Sequence, residues 1–508
     1  ARFTMYLIYA EHVENIGLSG RGTIDGQGEH FPAQPGDDKG RPYILRFSEC
    51  KNVRVENLTF LDSARWLSHY LACDNVTISG ITIRAKIREN RDGIDVDSCQ
   101  DVRISDCRID TGDDAIVLKA TTDRPCRRVT ITNCVLSSMA SAVKMGTESN
   151  GGFEDIAVSN CVIHDTGYSG IAVEMVDGGA LDRVTISNIT MRDVKAPIFV
   201  RLGNRARPIP ELPPPGMGSL RNVIISNVQA TGADTMGCSI TGIPGFPVEN
   251  VTIDNVRIES TGGGTLEDAQ RDIPEKIDAY PSGKMFGTLP AYGFFCRHAT
   301  NLRLHNIDLS FEEEDQRSAI ICDDVQDLDI FGLRAEVAPA VASVLRFRNV
   351  QGALIHGCRS ALQGDGFLRL EGEDCRDIDV RDGSSGTVRR PVPTYVTPTA
   401  TGRLHDETKS SLALISSDRR LCDRPRRFER GLPCRRAGRG RREGRGRHHR
   451  RTRRRHLQRV RGEGGGTGLL AGVGVAGPAH HGLGRRIAGA RDLPCLAAGV
   501  DPHPADRQ

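Results

Sequence analysis

The sequence predicts an all-β chain wound as a β-solenoid of about 12–13 rungs. Three observations carry the prediction. A short apolar phrase recurs along the chain, most copies 23 to 28 residues apart. Each copy alternates apolar and polar residues and is rich in β-branched side chains, the pattern of a strand. Between copies there is no run of ten or more residues with helical period. A fixed period of strands without helices reads as coils that stack on one another and bury a continuous core.

The copies run in order. They are VRVENLTF from Val53, VTISGITI from Val76, VRISDCRI from Val102, VTITNCVL from Val129 and IAVSNCVI from Ile156. VTISNITM follows from Val184, VIISNVQA from Val223, VTIDNVRI from Val251 and LRLHNIDL from Leu302, with weaker copies at Leu328, Leu354 and Ile378. The two long spacings, 39 before Val223 and 51 before Leu302, mark insertions. With strands about 4.8 Å apart, the coils make a rod of roughly 60 Å.

Polar and thiol ladders support the stacking. Asn57, Asn133, Asn160, Asn188, Asn227, Asn255 and Asn306 stand four residues after a repeat start, with Asp106 in the same register. Stacked Asn amides can hydrogen-bond from rung to rung, and Asn tolerates the left-handed backbone of a turn. Cys50, Cys73, Cys99 and Cys126 share one register, and Cys107, Cys134 and Cys161 another. They read as a buried apolar stack, since one Cys per rung gives no converging metal ligands. Fifteen Cys in so long a chain are not a small disulfide scaffold.

The 508 residues carry a formal net charge of +3, which conceals a division. Residues 401–508 hold 26 basic and 10 acidic residues, and the preceding 400 hold 42 and 55. The body is therefore acidic, at −13, and the tail basic, at +16. The domains read as a solenoid over 1–395 and an Arg/Gly-rich low-complexity tail over 396–508. Between Asp418 and Arg461 there are 20 Arg and no Lys, a bias that favours a shifted reading frame. A disordered tail and a polyanion-binding arm are the rival readings, and all three forecast no packed core there. Aromatics that would stack nucleic-acid bases are nearly absent, which argues against a nucleic-acid partner. No apolar run approaches the ~20 residues of a membrane span. The chain starts at Ala1 inside an apolar segment and is expected to lack its true N-terminus.

Two neighbouring rungs carry chemistry. They read Asn90-Arg91-Asp92-Gly93-Ile94-Asp95-Val96-Asp97 and Thr111-Gly112-Asp113-Asp114-Ala115-Ile116-Val117-Leu118-Lys119. Aligning GIDVD with AIVLK puts Asp92 in the column of Asp114, followed by Ser141 and Ser169. Alternation then projects Asp95, Asp97, Lys119, Lys144, Ala172, Glu174, Phe199 and Arg201 from one face. A solvated acidic face is the competing reading. Carboxylates this close repel, and at least one should hold its proton above the usual range. A protonated carboxyl beside an ionised one is the equipment of glycosidic cleavage: one protonates the leaving oxygen, the other activates water. In inverting enzymes the two stand roughly 6.5–9.5 Å apart.

At these residues the chain resembles glycoside hydrolase family 28, the polygalacturonase group. NRDGIDVDSC and TGDDAIVLK are similar to its paired signatures, as are LIYAEHVENIGLSGRGTIDGQG and RPYILRFSECKNVRVENLTF. The resemblance covers about 5–205 well and extends loosely to about 390. It implies a right-handed parallel β-helix that hydrolyses pectic glycosidic bonds with inversion, with no metal or other cofactor. It implies Asp113 as general acid, and Asp92 and Asp114 as the pair that holds and activates water. The chain departs from the family at Ala140-Ser141-Ala142, where the resemblance implies Gly-His-Gly, and at Ala172-Val173-Glu174, where it implies Arg-Ile-Lys. The missing cations are those that bind a substrate carboxylate, so another sugar linkage, cleaved from a chain end, is the expectation. Lys144 and Glu148 read as replacements for the lost groups.

The expected substrate-binding set is Asn90, Asp95, Lys119, Lys144, Glu148, Glu174, Arg201 and His69. Trp66 and His69 form a W-x-x-H phrase that reads equally as a sugar platform or as packing. His164 and Tyr168 are weaker candidates for groove lining. The insertions at 205–216 and 259–300, the latter with Tyr280, Tyr292, Phe294 and Phe295, are expected to flank the groove. The expected partner is a polysaccharide or oligosaccharide, the protein a monomer located outside the cell or in the periplasm. Rival functions are a polysaccharide lyase, which would need a calcium cluster and a base, and a non-catalytic carbohydrate-binding solenoid.

Overall fold

The computed structural model describes residues 5–381 apart from 32–39, 87–89, 211–212, 340, 342 and 361–365. The tail from 396, with its Arg-rich stretch, lies outside the described residues, as does the end of the solenoid segment.

Strands of the chain pair in parallel into three columns. The first column starts with Tyr6–Glu11, Tyr43–Ser48, Ser68–Leu71, Ile94–Asp97, Ile116–Ala120 and Val143–Ser149. The second holds the recurring phrase. Its strands align Val53, Val76, Val102, Val129, Ile156, Val184, Val223, Val251, Leu302 and Leu328 in register. Thirteen strands stack in this column among the described residues, counted from Gly17–Ser19 to Arg376–Arg381. The β-helix expected from the repeat is therefore the fold.

One copy sits a residue earlier than its apolar pattern suggested. Leu328 pairs with Ala353, not Leu354, and Ala353 pairs with Ile378. Ala353 and Ile355 are buried while Leu354 faces outward. The left-handed turn residue confirms the register: it is Gly357, at φ 64°, four residues after Ala353. The larger side chain misled the reading, because a slip of one residue exchanges the two faces of a strand.

Every predicted ladder residue of the Asn register has positive φ, from 52° at Asn255 to 63° at Asn57. The amides bond along the axis: Asn188 donates to Asn160 at 3.1 Å, Asn227 to Asn188 at 3.1 Å and Asn255 to Asn227 at 2.7 Å. The seven registered cysteines are buried free thiols. Several donate to backbone carbonyls, as Cys50 does to Ser48 at 3.2 Å. Both insertions leave the coil between strands, and the second contains one helical turn, Leu266–Ala269. No helix among the described residues is long and apolar enough to cross a membrane.

The ladder makes a test. Asn227→Ala removes two amide bonds and places an alanine in the left-handed region, so unfolding by urea should show a loss of about 2 kcal/mol. Asn227→Gly, which keeps the turn without strain, should lose clearly less.

Candidate active site

The site is assembled on the first column. Ile94 pairs with Ile116, Asp95 with Val117, and Asp97 with Lys119. On the next rungs Val117 pairs with Lys144, Lys144 with Ala172, Ala172 with Phe199 and Glu174 with Arg201. The inward residues Ile94, Val96, Ile116, Leu118, Val143 and Met145 join the core, so their neighbours must point outward. Backbone bonds fix the turn before these strands. Gly93 N–H donates to Asp114 O at 2.9 Å, and Asp113 N–H to Arg91 O at 3.3 Å. A side chain at Gly93 would bring its Cβ to 2.6 Å from Ala115 O, so this close approach admits only glycine.

Asp92, Asp113 and Asp114 converge, each offering an oxygen within 4.8 Å of the others. That is tighter than the interval expected between an inverting pair. Asp113 is the partly exposed member, while Asp92 and Asp114 are buried. The Asp113 carboxylate accepts from the backbone N–H of Asn90 and of Asp114, both at 3.0 Å. Burial, and then the charge of Asp114, raise it above the usual carboxylate range. Asp92 and Asp95 are raised further, by burial first; Asp95 and Asp113 add to the effect on Asp92.

Two lysines hold this charge together. Lys144 Nζ lies 3.0 Å from Asp114 and 3.8 Å from Glu174. Lys119 Nζ lies 3.3 Å from Glu148 and 3.8 Å from both Asp92 and Asp95. Burial alone would lower both lysines, but the surrounding carboxylates outweigh it and keep them charged. Glu148 also meets Arg207 at 3.1 Å and Arg205 at 3.8 Å. Burial would raise it, yet Lys119 and then Arg205 bring it down to about 2. Glu174 has no such set. Burial pushes it up to about 7, with Lys144 only partly opposing.

The remaining expected residues divide. His69 is buried and donates from Nε2 to Asp97 at 3.2 Å, while Asp97 also accepts from the Thr121 hydroxyl at 2.6 Å and its N–H at 2.8 Å. Burial keeps His69 below its ordinary value; burial would raise Asp97, but His69 and Thr121 hold it down. A neutral imidazole therefore donates to an ionised carboxylate. Asn90 serves through its backbone, and its side chain accepts from Arg41 at 3.3 Å. Arg201 does not join the cluster. Its guanidinium donates to Gly242 O at 2.9 Å, Glu275 O at 2.7 Å and Lys276 O at 3.0 Å. The alternation argument gave its face but not its reach, since a long side chain can turn along the axis to a loop absent from the repeat.

The aromatic expectations also divide. Trp66 stands over Lys119, whose Nζ is 4.4 Å from the ring centre, and meets Tyr43 and His69 edge-on. Tyr280 reaches back from the second insertion, its hydroxyl 3.4 Å from Lys144 Nζ. Tyr292 and Phe294 belong to the core instead. Phe295 packs with Phe199, Ala172, Ile321, Ile273, Met285, Phe286 and Leu289, so the insertion covers the outward face of the later rungs. The first insertion flanks the site through Arg205 and Arg207. Tyr168 lies under Lys284, and His164 pairs with Asp165 in the third column. Sequence reasoning missed Tyr43, which lies in a family-like segment but was not singled out there, and Thr121, which lies just past the second signature.

A metal could use the three aspartates, an all-oxygen set suited to hard cations. Lys144 and Lys119 compete for the same oxygens. A cavity of about 600 Å³ elsewhere, lined by Asn188, Asn227, Asn255 and Asn306 among others, shares no residue with the cluster.

Paired carboxylates on the outer face of a parallel β-helix define a carbohydrate-active type of site. The comparison with known families is specific: the chain matches Glycosyl hydrolases family 28 over residues 2–276 and belongs to that family. A probable polygalacturonase of Vitis vinifera is 29% identical over 266 residues, 50% of this chain and 54% of that protein. Polygalacturonase-2 of Solanum lycopersicum is 26% identical over 272 residues, 52% of this chain and 59% of that protein. The chain thus spans little more than half the length of these relatives. Among solved structures, a hyperthermoactive exopolygalacturonase from Thermotoga maritima aligns with a TM-score of 0.47 at 21% identity, over 59% of this chain and 71% of that one.

The raised Glu174 sets a pH test. Its folded value, about 7, lies above the ordinary 4.5, so the folded state holds the proton longer. The stability it supports is complete below 4.5 and falls as pH rises through 7. Glu174→Gln should remove a loss on the order of 3 kcal/mol between pH 4.5 and 8, read by urea unfolding at both.

Proposed function

We propose that the chain is a glycoside hydrolase cleaving a glycosidic bond in pectin-type plant polysaccharide or its oligosaccharides, by carboxylate acid/base catalysis with inversion. The observation that carries this is Asp113: a partly exposed carboxyl, raised in its proton affinity, beside two buried carboxylates in a chain of family 28. A group that keeps its proton near the working pH can give it to a leaving oxygen. Asp92 and Asp114 take the role of holding and activating water: Asp92, whose burial favours its protonated form, holds it, and Asp114, beside the Lys144 ammonium, activates it. Asp95, Lys119, Lys144 and Glu174 border the reacting sugar. His69, Asn90 and Glu148 position these groups, through Asp97, Asp113 and Lys119 respectively. Arg201 anchors the loop that carries Tyr280, and so acts at a distance.

Inversion is supported by the family and not by the carboxylate spacing, whose nearest oxygens are within 4.8 Å. Cleavage from a chain end is supported by the second insertion, which covers the later rungs and shortens any groove. The protein is proposed to work as a monomer outside the cell or in the periplasm. The three clustered aspartates also suit a calcium-dependent lyase. Activity that survives a chelator, with saturated product ends, rejects that reading.

Asp113→Asn should lower turnover on pectic oligosaccharides by 10²–10⁴-fold, measured as reducing-end release. Unchanged release would remove Asp113 from the acid role, and no release from either protein would favour a binding module. Proton NMR of the first product should show the anomeric configuration opposite to the substrate's; retention would refute inversion.

A further inference from the structure

The charge and hydrogen-bond inventory of the cluster says which kind of sugar it can accept. Six carboxyl groups, Asp92, Asp95, Asp113, Asp114, Glu148 and Glu174, are packed with two ammonium groups, Lys119 and Lys144. Both ammonium groups already touch carboxylates of the protein, at 3.0–3.8 Å. The next cations are engaged as well. Arg205 binds Asp177 and Glu148, and Arg201 binds loop carbonyls. Even with Asp92 and Asp95 protonated and Asp113 holding the proton it gives as the acid, Asp114, Glu148 and Glu174 share two ammonium groups.

A second observation does not depend on charge. Asp92 Oδ1, both oxygens of Asp95 and Glu174 Oε1 are buried and accept no hydrogen bond among the described residues. These side chains are 3%, 0% and 0% exposed. Protonated or ionised, each of these carboxyl groups keeps at least one accepting oxygen, so a molecule seated against them must bring donors. A sugar hydroxyl brings one; a uronate carboxylate brings a further acceptor and a like charge at close range, which burial makes costly.

We propose that the sugar unit bound against Asp92, Asp95 and Glu174 is a neutral, hydroxyl-rich pyranose and not a uronate. This deepens the hydrolase reading and rests on it. Selection then works by repulsion as much as by attraction: a uronate is disfavoured because Lys119 and Lys144 are already paired with the protein's own carboxylates.

The test separates binding from turnover. The full chain is titrated calorimetrically at neutral pH and low salt with α-linked oligosaccharides of equal length, made of galacturonate, of galactose or of rhamnose. Hydrolysis of the same sets is followed by reducing-end release. At least one neutral set should bind tenfold or more tighter than galacturonate, and Glu174→Gln should narrow that gap by improving galacturonate binding. Galacturonate binding as tightly as both neutral sets overturns the proposal, and so does binding of none of the three. A chain that binds a neutral set but releases no reducing ends keeps the substrate class and refutes the hydrolase reading.

Discussion

Parallel register is the constraint on which the rest depends. Because Ile94 lies beside Ile116, and Val117 beside Lys144, each outward side chain has one neighbour above and one below, at a fixed spacing of about 4.8 Å. Stacking of this kind concentrates whatever a column contains. Asparagines make a hydrogen-bonded ladder, thiols make an apolar seam, and carboxylates make a repulsive cluster. The last is tolerable only with cations interleaved. Lys119 follows Asp97 in its column, and Lys144 stands between the small Val117 and Ala172, which leave it room to reach Asp114.

The later rungs solve a different problem with similar parts. There the outward positions are apolar, at Ala172, Phe199, Phe295 and Ile321, and the long second insertion folds over them. Arginines at the adjoining outward positions hold that insertion by its backbone. Arg201 takes the carbonyls of Glu275 and Lys276, and Arg297 those of Ile273 and Pro274. One face thus carries bare chemistry on its middle rungs and a fastened cover farther along. Tyr280 marks where the two meet.

Much of this was legible in the sequence because a solenoid repeats its physics. The Val53 phrase gave the coil, the Asn register gave the turns, and alternation about Ile94 and Ile116 brought the aspartates to one place. What escaped has physical reasons. Ala353 was passed over for Leu354 because a small residue at an inward position leaves a weak apolar signal. Arg201 was assigned a face correctly, but its destination depends on a loop more than seventy residues away, and no local period reports on that. Thr121 completes the shell of Asp97 from outside any motif, and Tyr43 meets Trp66 across a gap in sequence that alternation does not connect.

The position of the cluster along the rod has a further consequence. A solenoid is held by nearest-neighbour contacts, so it loses order from its ends inward, one coil at a time. The carboxylates and lysines occupy the fourth to seventh of thirteen described coils, with intact coils on either side. Fraying at either end costs the molecule length before it costs chemistry, and the terminal coils act as sacrificial insulation for the centre.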